Sequence, residues 1–284
     1  MKKHTFIYWL FLLPSLLGVA LFYVFPFLFS LYYAAVDNLG DMRFAGLENF
    51  ADTLSNPLFQ QAAGNTLLFI GLCVPLGMVL ALFLSICLQR MGRGRVPATL
   101  ALLIPLVVPS GSIVYFWKVL FDQNGLLRKL LLQAGFSHEI VFQNSWAMGI
   151  LVAVFLWKNV SYNIVLFWSG LVWIPKTYYE QIALEGAGAW RQFINVTWVY
   201  LSPTTFVVLL MSIVNSFKVF KEIYMLYGPY PSTDIYMLQH YMNNQFQSLS
   251  LPQLCSGAYI LFLAVSLVLL VLFRLQKRVT DTYQ

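Results

Sequence analysis

The chain has 284 residues, 60% of them hydrophobic and 10% charged, with a mean hydropathy of +0.72. Soluble domains carry about 25% charged residues, so a water-facing surface cannot be covered and a soluble globular protein is excluded. The formal net charge is +6, but the basic residues sit in short loops and tails, a topology signature rather than a nucleic-acid footprint.

The N-terminus opens with Lys2, Lys3 and His4, followed by an apolar run from Phe6 to Val36. A signal-peptide core is about 7–15 residues, so this longer run reads as a permanent anchor. Six stretches are long enough to cross roughly 30 Å of hydrocarbon: 7–36, 65–88, 98–120, 146–171, 201–226 and 254–273. Pro26, Pro75 and Pro105 lie inside them and are expected to kink them. The connecting outer loops are 37–64, 121–145 and 227–253, none long enough to fold as a separate domain. The last holds Gly228, Pro229, Pro231, Asn243 and Asn244 and no basic residue. Cys73, Cys87 and Cys255 show no C-x-x-C spacing and read as small apolar side chains. The expected fold is all-α, a polytopic membrane protein with six transmembrane helices.

Orientation follows from Lys and Arg. With the N-terminus inside, the inner face holds Lys2, Lys3, Arg90, Arg93, Arg95, Lys176, Arg191, Arg274, Lys277 and Arg278. The outer face holds only Arg43, Arg128 and Lys129. This bias predicts both termini in the cytoplasm, and places residues 173–200 there too.

Within that inner loop, Tyr179 to Pro203 reads YEQIALEGAGAWRQFINVTWVYLSP. Tyr179, Ile182, Ala183, Gly186, Ala187, Trp190, Phe193, Ile194 and Thr197 recur at helical spacing, with Glu180, Gln181, Glu185, Arg191, Gln192 and Asn195 on the other faces. Gly186 and Gly188 are expected to bend or break the helix. Such an insert could lie on the inner leaflet, but Glu180 and Glu185 against Arg191 make attraction to anionic lipid weak. Docking of a partner protein is the stronger reading.

The pattern Glu180, Glu185-Gly186-Ala187-Gly188 and Leu201-Ser202-Pro203 resembles the cytoplasmic coupling loop of importer permeases of the ATP-binding cassette (ABC) superfamily. Gln181 and Ile182 stand where that family usually has two alanines, and Val199 where it usually has a proline. The resemblance extends along the chain to the sugar-permease branch. It includes Phe11-Leu-Leu-Pro-Ser15, Ser30-Leu-Tyr-Tyr33, Phe44 to Phe50, Asn65-Thr66-Leu67, Val108-Pro109-Ser110, Trp117, Ser216-Phe217, Val219-Phe220 and Ile223-Tyr224.

The resemblance implies a type I importer permease. It implies a first transmembrane helix and outer loop over 1–64, a permease core over 65–273 with its coupling loop at 173–200, and a cytoplasmic tail over 274–284. It also implies a second homologous permease subunit, two ATPase subunits inside and an extracytoplasmic sugar-binding protein outside, all at a bacterial-type inner membrane. ATP and Mg would reside on the ATPase subunits, with no cofactor in this chain. Glu180 would pair with a basic residue of the ATPase, and Gly186 would permit close backbone approach.

No residue pattern suits catalysis. G-x-x-x-x-G-K-[ST], H-E-x-x-H and G-x-S-x-G are absent. His4, His138 and His240 are far apart in sequence, and the adjacent pair His138-Glu139 is a poor metal site. No catalytic residue and no metal ligand is assigned.

Polar residues inside spans are costly and default to functional candidates. Lys158, Asn159, Ser161, Tyr162 and Asn163 interrupt the fourth span; Asn215, Ser216, Lys218, Lys221 and Glu222 interrupt the fifth. Amides and hydroxyls bond sugar hydroxyls, and aromatic faces pack on sugar rings. By resemblance, substrate contacts come largely from these two spans, which singles out Asn159, Tyr162, Ser216 and Phe217. The alternative is helix–helix hydrogen bonding. Lys218, where the branch usually has a neutral amide, either pairs with Glu222 at i, i+4 or joins Lys158 in attracting an acidic sugar or sugar phosphate. Cargo alternatives to a sugar are glycerol phosphate, polyamines and metal ions. An ATP-independent carrier is a further alternative, with no use for a docking loop.

Overall fold

The structure, a computed structural model, describes residues 2–37, 43–121, 126–133 and 147–283. The helices in chain order are α1 (Lys2–Val19), α2 (Phe25–Ala34), α3 (Glu48–Ser55), α4 (Pro57–Arg90), α5 (Arg95–Val107), α6 (Ser110–Phe121) and α7 (Leu126–Gln133). They continue with α8 (Ala147–Val172), α9 (Lys176–Leu184), α10 (Ala189–Gln192), α11 (Val199–Phe217), α12 (Phe220–Tyr227), α13 (Leu238–Gln247) and α14 (Leu251–Tyr283). Among the described residues there is no strand beyond one isolated bridge, Val36 with Phe44. The fold is all-α, as the apolar stretches predicted.

Five helical stretches are long and apolar enough to cross a membrane: Leu10–Ala34, Pro57–Arg90, Ala147–Val172, Ala189–Tyr227 and Leu251–Lys277. The sixth, expected as a continuous span over 98–120, is a broken pair, Arg95–Val107 and Gly111–Leu120, bent by 99°. The break falls at Pro109. Val108, just before it, is extended at φ −74 and ψ 126, because the proline ring crowds the α conformation of the preceding residue. Pro105 stays inside α5, and Pro75 stays inside α4.

The chain divides into two compact units. In the first, residues 1–60 and 241–270, Asn49 ties the turn after α2 by donating to the carbonyls of Ala34 (3.0 Å) and Val36 (2.9 Å). Thr53 and Ser256 share a hydrogen bond of 2.7 Å, and the Tyr259 hydroxyl donates to the Phe27 carbonyl while its ring packs on Phe27. Asn56 caps α4, its side-chain oxygen accepting from the Leu58 N–H at 2.9 Å, and Pro57 sits at the first helical position, where its missing N–H costs nothing.

The second unit, residues 61–240 and 271–284, holds a core of α4, α5, α8 and α11 around Ala81, Leu88, Ile164, Phe167, Leu171, Leu201 and Val208. Lipid is as apolar as these side chains, so close packing and hydrogen bonds must hold such helices together. Gly170 of α8 supplies the first: a Cβ there would lie 2.6 Å from Thr204 Oγ1 and 2.9 Å from Leu201 Cδ1. The second comes from Ser161, donating to the Leu102 carbonyl (2.6 Å), and Asn163, donating to Ser212 Oγ (2.9 Å). For these two residues the helix–helix reading holds.

Residues 227–253, expected as an outer loop, are largely folded. A 3-10 turn, Thr233–Ile235, leads into α13, with Ile235, Tyr236, Met237 and Leu238 buried. Asn65 of α4 donates to the carbonyls of Thr233 (2.6 Å) and Tyr236 (2.9 Å), and Thr66 accepts from the Leu238 N–H (3.0 Å). His138 and Glu139 lie outside the described residues.

Candidate functional site

The inner elbow is built by its glycines. α9 ends at Leu184, and Gly186 takes φ +78. The Gly186 N–H donates to the Ala183 carbonyl (2.9 Å) and the Ala187 N–H to the Ile182 carbonyl (3.2 Å). These two bonds form a Schellman C-cap, which needs a left-handed residue at the glycine position. Gly188 is extended and caps α10, accepting from the Gln192 N–H at 3.0 Å. The chain then runs through a π-helical stretch, Phe193–Trp198, directly into α11. Tyr179 of α9 bonds to Thr197 at 2.9 Å, and Tyr178 stacks on Tyr200 at 4.8 Å, fixing the angle between the two arms.

The single helical stripe read from the sequence is therefore cut in two. Ala187, Val196 and Thr197 are buried and Tyr179 and Ile182 half-buried. Leu184 is 90% exposed and Trp190 is 73% exposed, on either side of the turn. Of the predicted coupling residues, Glu180, Glu185, Gly186 and Gly188 are exposed and Ala187 is buried. Glu180 also lines a cavity of about 400 Å³ with Arg90, Lys176 and Gln192. Leu184 was missed because the helical spacing put it on the polar side. Its signal was its place just before the Glu185–Gly186 turn.

The second feature is a cavity of about 350 Å³ in the second unit, lined by both apolar and polar side chains of candidate spans. From α8 it takes Phe155, Lys158, Asn159 and Tyr162; from α11, α12 and the turn between them it takes Met211, Asn215, Lys218, Val219 and Glu222. The α8 set follows i, i+3, i+4, i+7 spacing, which puts it on one helix face. Ligand pockets start at about 300 Å³, so a small ligand fits. Lys158 forms an ion pair with Glu222. Asn159 donates to its own helix at the Phe155 carbonyl (3.0 Å), and no donor reaches its amide oxygen among the described residues.

Asn159, Tyr162 and Lys218 are thus brought together; Ser216 and Phe217 are not. Ser216 is buried and donates to the Ile213 carbonyl (2.6 Å), and both residues face a separate void of about 10 Å³ beside Thr66 and Phe69. Their positions fall on the faces turned away from Asn215 and Lys218. The i, i+4 pair expected between Lys218 and Glu222 does not form: Lys218 donates to Asn215 Oδ1 at 2.9 Å. Lys158, expected to join Lys218 in attracting an anion, has its charge met by Glu222.

Comparison with known proteins gives this geometry a family. The sn-glycerol-3-phosphate transport system permease protein UgpA of Pectobacterium atrosepticum is 30% identical over 285 residues, covering 97% of this chain and 96% of the relative. UgpA of Yersinia pestis is 30% identical over 213 residues, covering 74% of this chain and 72% of the relative. The arabinooligosaccharides transport system permease protein AraP of Bacillus subtilis is 29% identical over 228 residues, 77% of this chain and 71% of the relative. A crystal structure of a bacterial ABC transporter involved in import of the acidic polysaccharide alginate matches the fold with a TM-score of 0.84, covering 98% of this chain and 97% of that chain, at 20% identity. No protein-family model matches the chain. The chain belongs to the permease subunits of binding-protein-dependent ABC importers, in their sugar-permease branch.

Proposed function

We propose that this chain is the transmembrane permease subunit of an ATP-driven importer of sugars, oligosaccharides in particular, in a bacterial-type inner membrane with both termini cytoplasmic. The observation that carries the reading is the elbow. A Schellman-capped turn at Gly186 leaves Leu184 and Trp190 exposed on either side of it, with the Trp190 ring stacked on Phe193 at 5.7 Å. They fit a cleft of an ATPase subunit, two copies of which bind ATP and Mg while this chain holds neither. Because the second arm runs unbroken into α11, a movement of the elbow is carried straight to the cavity wall formed by Met211 and Asn215. A second homologous permease subunit completes the pathway, and an extracytoplasmic sugar-binding protein delivers cargo to the outer segments.

The relatives are named for sn-glycerol-3-phosphate and arabinooligosaccharides, and the structural neighbour for alginate. All three are hydroxyl-rich, and Asn159, Tyr162 and Asn215 can bond hydroxyls. A polyamine is disfavoured by the two lysines on the same cavity. The test is to purify the chain with its partners and measure ATP turnover with a panel of oligosaccharides and their binding protein. Stimulated turnover is expected. Transport activity in a preparation without any ATPase subunit would instead make the protein an ATP-independent carrier.

A further inference from the structure

Resting on the importer reading and deepening it, we propose that the cavity selects saccharides bearing an acidic group, a uronate carboxylate or a phosphate ester, through Lys218. The charges on the cavity are Lys158, Lys218 and Glu222. Glu222 and Lys158 cancel one another as an ion pair between α12 and α8. Lys218 has a neutral amide as its partner, Asn215 Oδ1 at 2.9 Å, and no carboxylate pairs with it among the described residues. One positive charge is left over on a cavity within a helical stretch, Ala189–Tyr227, apolar enough to span the membrane.

Lys218 is exposed, and a charge carried within an apolar spanning stretch is costly. Its position just past the end of α11 offsets part of the cost, since the helix C-terminus favours a cation. That accounts for a cation at this position. It does not explain why the charge lines a cavity whose apolar walls include Pro105, Phe155, Met211 and Val214. Apolar walls strengthen attraction to an incoming anion. The pairing of Glu222 with Lys158 prevents the one acidic side chain present from repelling that anion, so Lys158 is a positioning residue. Asn159 and Tyr162, on the facing helix, are left to read hydroxyls of the same ring.

The test uses the full chain in nanodiscs, with the subunits that co-purify with it, in the absence of ATP and of the binding protein. Three probes are compared at low salt: digalacturonate, its neutral counterpart galactobiose, and galactose 6-phosphate. An acidic probe is expected to bind about tenfold tighter than the neutral one, the difference made by one charge-assisted hydrogen bond, and the preference is expected to shrink with added salt. The tighter of the two acids names the group. Lys218→Gln should bring the acid-to-neutral ratio close to unity, and Lys218→Arg should keep it. Equal binding of acidic and neutral probes, no detectable binding of either acid, or an unchanged ratio in Lys218→Gln overturns the proposal. Because binding is read without ATP, failure here is distinct from failure of the importer reading, which shows as the absence of an ATPase partner.

Discussion

Glu222 of α12 reaches across the cavity to Lys158 of α8, while Lys218, four residues before Glu222, bonds to Asn215 instead. The cause is the break between α11 and α12. The Lys218 N–H donates to the Asn215 carbonyl (3.0 Å) and the Val219 N–H to the Ser216 carbonyl (3.3 Å), both i to i−3. The i, i+4 rule assumes one continuous helix, and here the helix is interrupted between the two charges.

Breaking this pair should cost stability. Glu222 is buried, and removing it takes from Lys158 the carboxylate it pairs with. Glu222→Ala is expected to destabilise by about 3 kcal/mol, read as a lower Tm of the chain in nanodiscs. The exchanged pair Lys158→Glu with Glu222→Lys should recover more than half of the loss. Losses that simply add in the double variant would mean the two side chains do not act as a pair.

The contact between α8 and α11 makes a second prediction. Gly170→Ala puts a Cβ 2.6 Å from Thr204 Oγ1, inside any normal contact. Overpacking of this kind costs about 1–3 kcal/mol. Adding Thr204→Ser, which removes the Cγ2 atom 3.1 Å away but keeps the hydroxyl, should relieve only part of it, whereas Thr204→Ala should relieve most. Full stability of Gly170→Ala alone would show that the two helices do not approach as described.

His240 is fully buried between the rings of Phe220 (4.7 Å) and Tyr236 (5.6 Å), and its Nδ1 accepts from the Met237 N–H at 3.3 Å. Burial holds its pKa down at about 4 against an ordinary 6.5. The folded segment therefore stays unprotonated where the opened one takes up a proton. Its stability is complete above about pH 6.5 and falls as the pH drops toward 4, by about 3 kcal/mol over the whole range. Hydrogen exchange of residues 233–240, corrected for intrinsic pH dependence, should accelerate from pH 7.5 to 5. In His240→Phe the profile should be flat; the same slope in that variant would place the sensitivity elsewhere.

Gly186 is a conformational requirement rather than a steric one. A Cβ there meets nothing within 4 Å, but φ +78 is strained for any other residue, at about 1–2 kcal/mol. Gly186→Trp should insert in the membrane normally yet lose ATPase assembly or stimulated turnover. Normal uptake by this variant would remove the elbow from the mechanism.

What could be read from the chain was whatever depends on local composition. Apolar length located the spans, and Gly186 with Gly188 located the bend in the elbow. What could not be read depends on where a helix stops. Val108-Pro109 breaks the third span because of a steric clash that hydropathy does not register. The break at Lys218-Val219 decides that Glu222 reaches Lys158 while Lys218 bonds to Asn215. The outer segment 233–238 gives no apolar periodicity to read, yet Asn65 and Thr66, over 160 residues earlier, supply the bonds that fold it against α4.

The central claim is that the elbow is gripped by an ATPase subunit. The direct measurement is labelling of Leu184→Cys by a membrane-impermeant maleimide in inside-out vesicles, with and without the ATPase subunits, against the background of Cys73, Cys87 and Cys255. At 90% exposure residue 184 should label rapidly in the permease alone, and become protected when the ATPase subunits assemble. Equal labelling in both states, or labelling only from the outer face, would contradict the account.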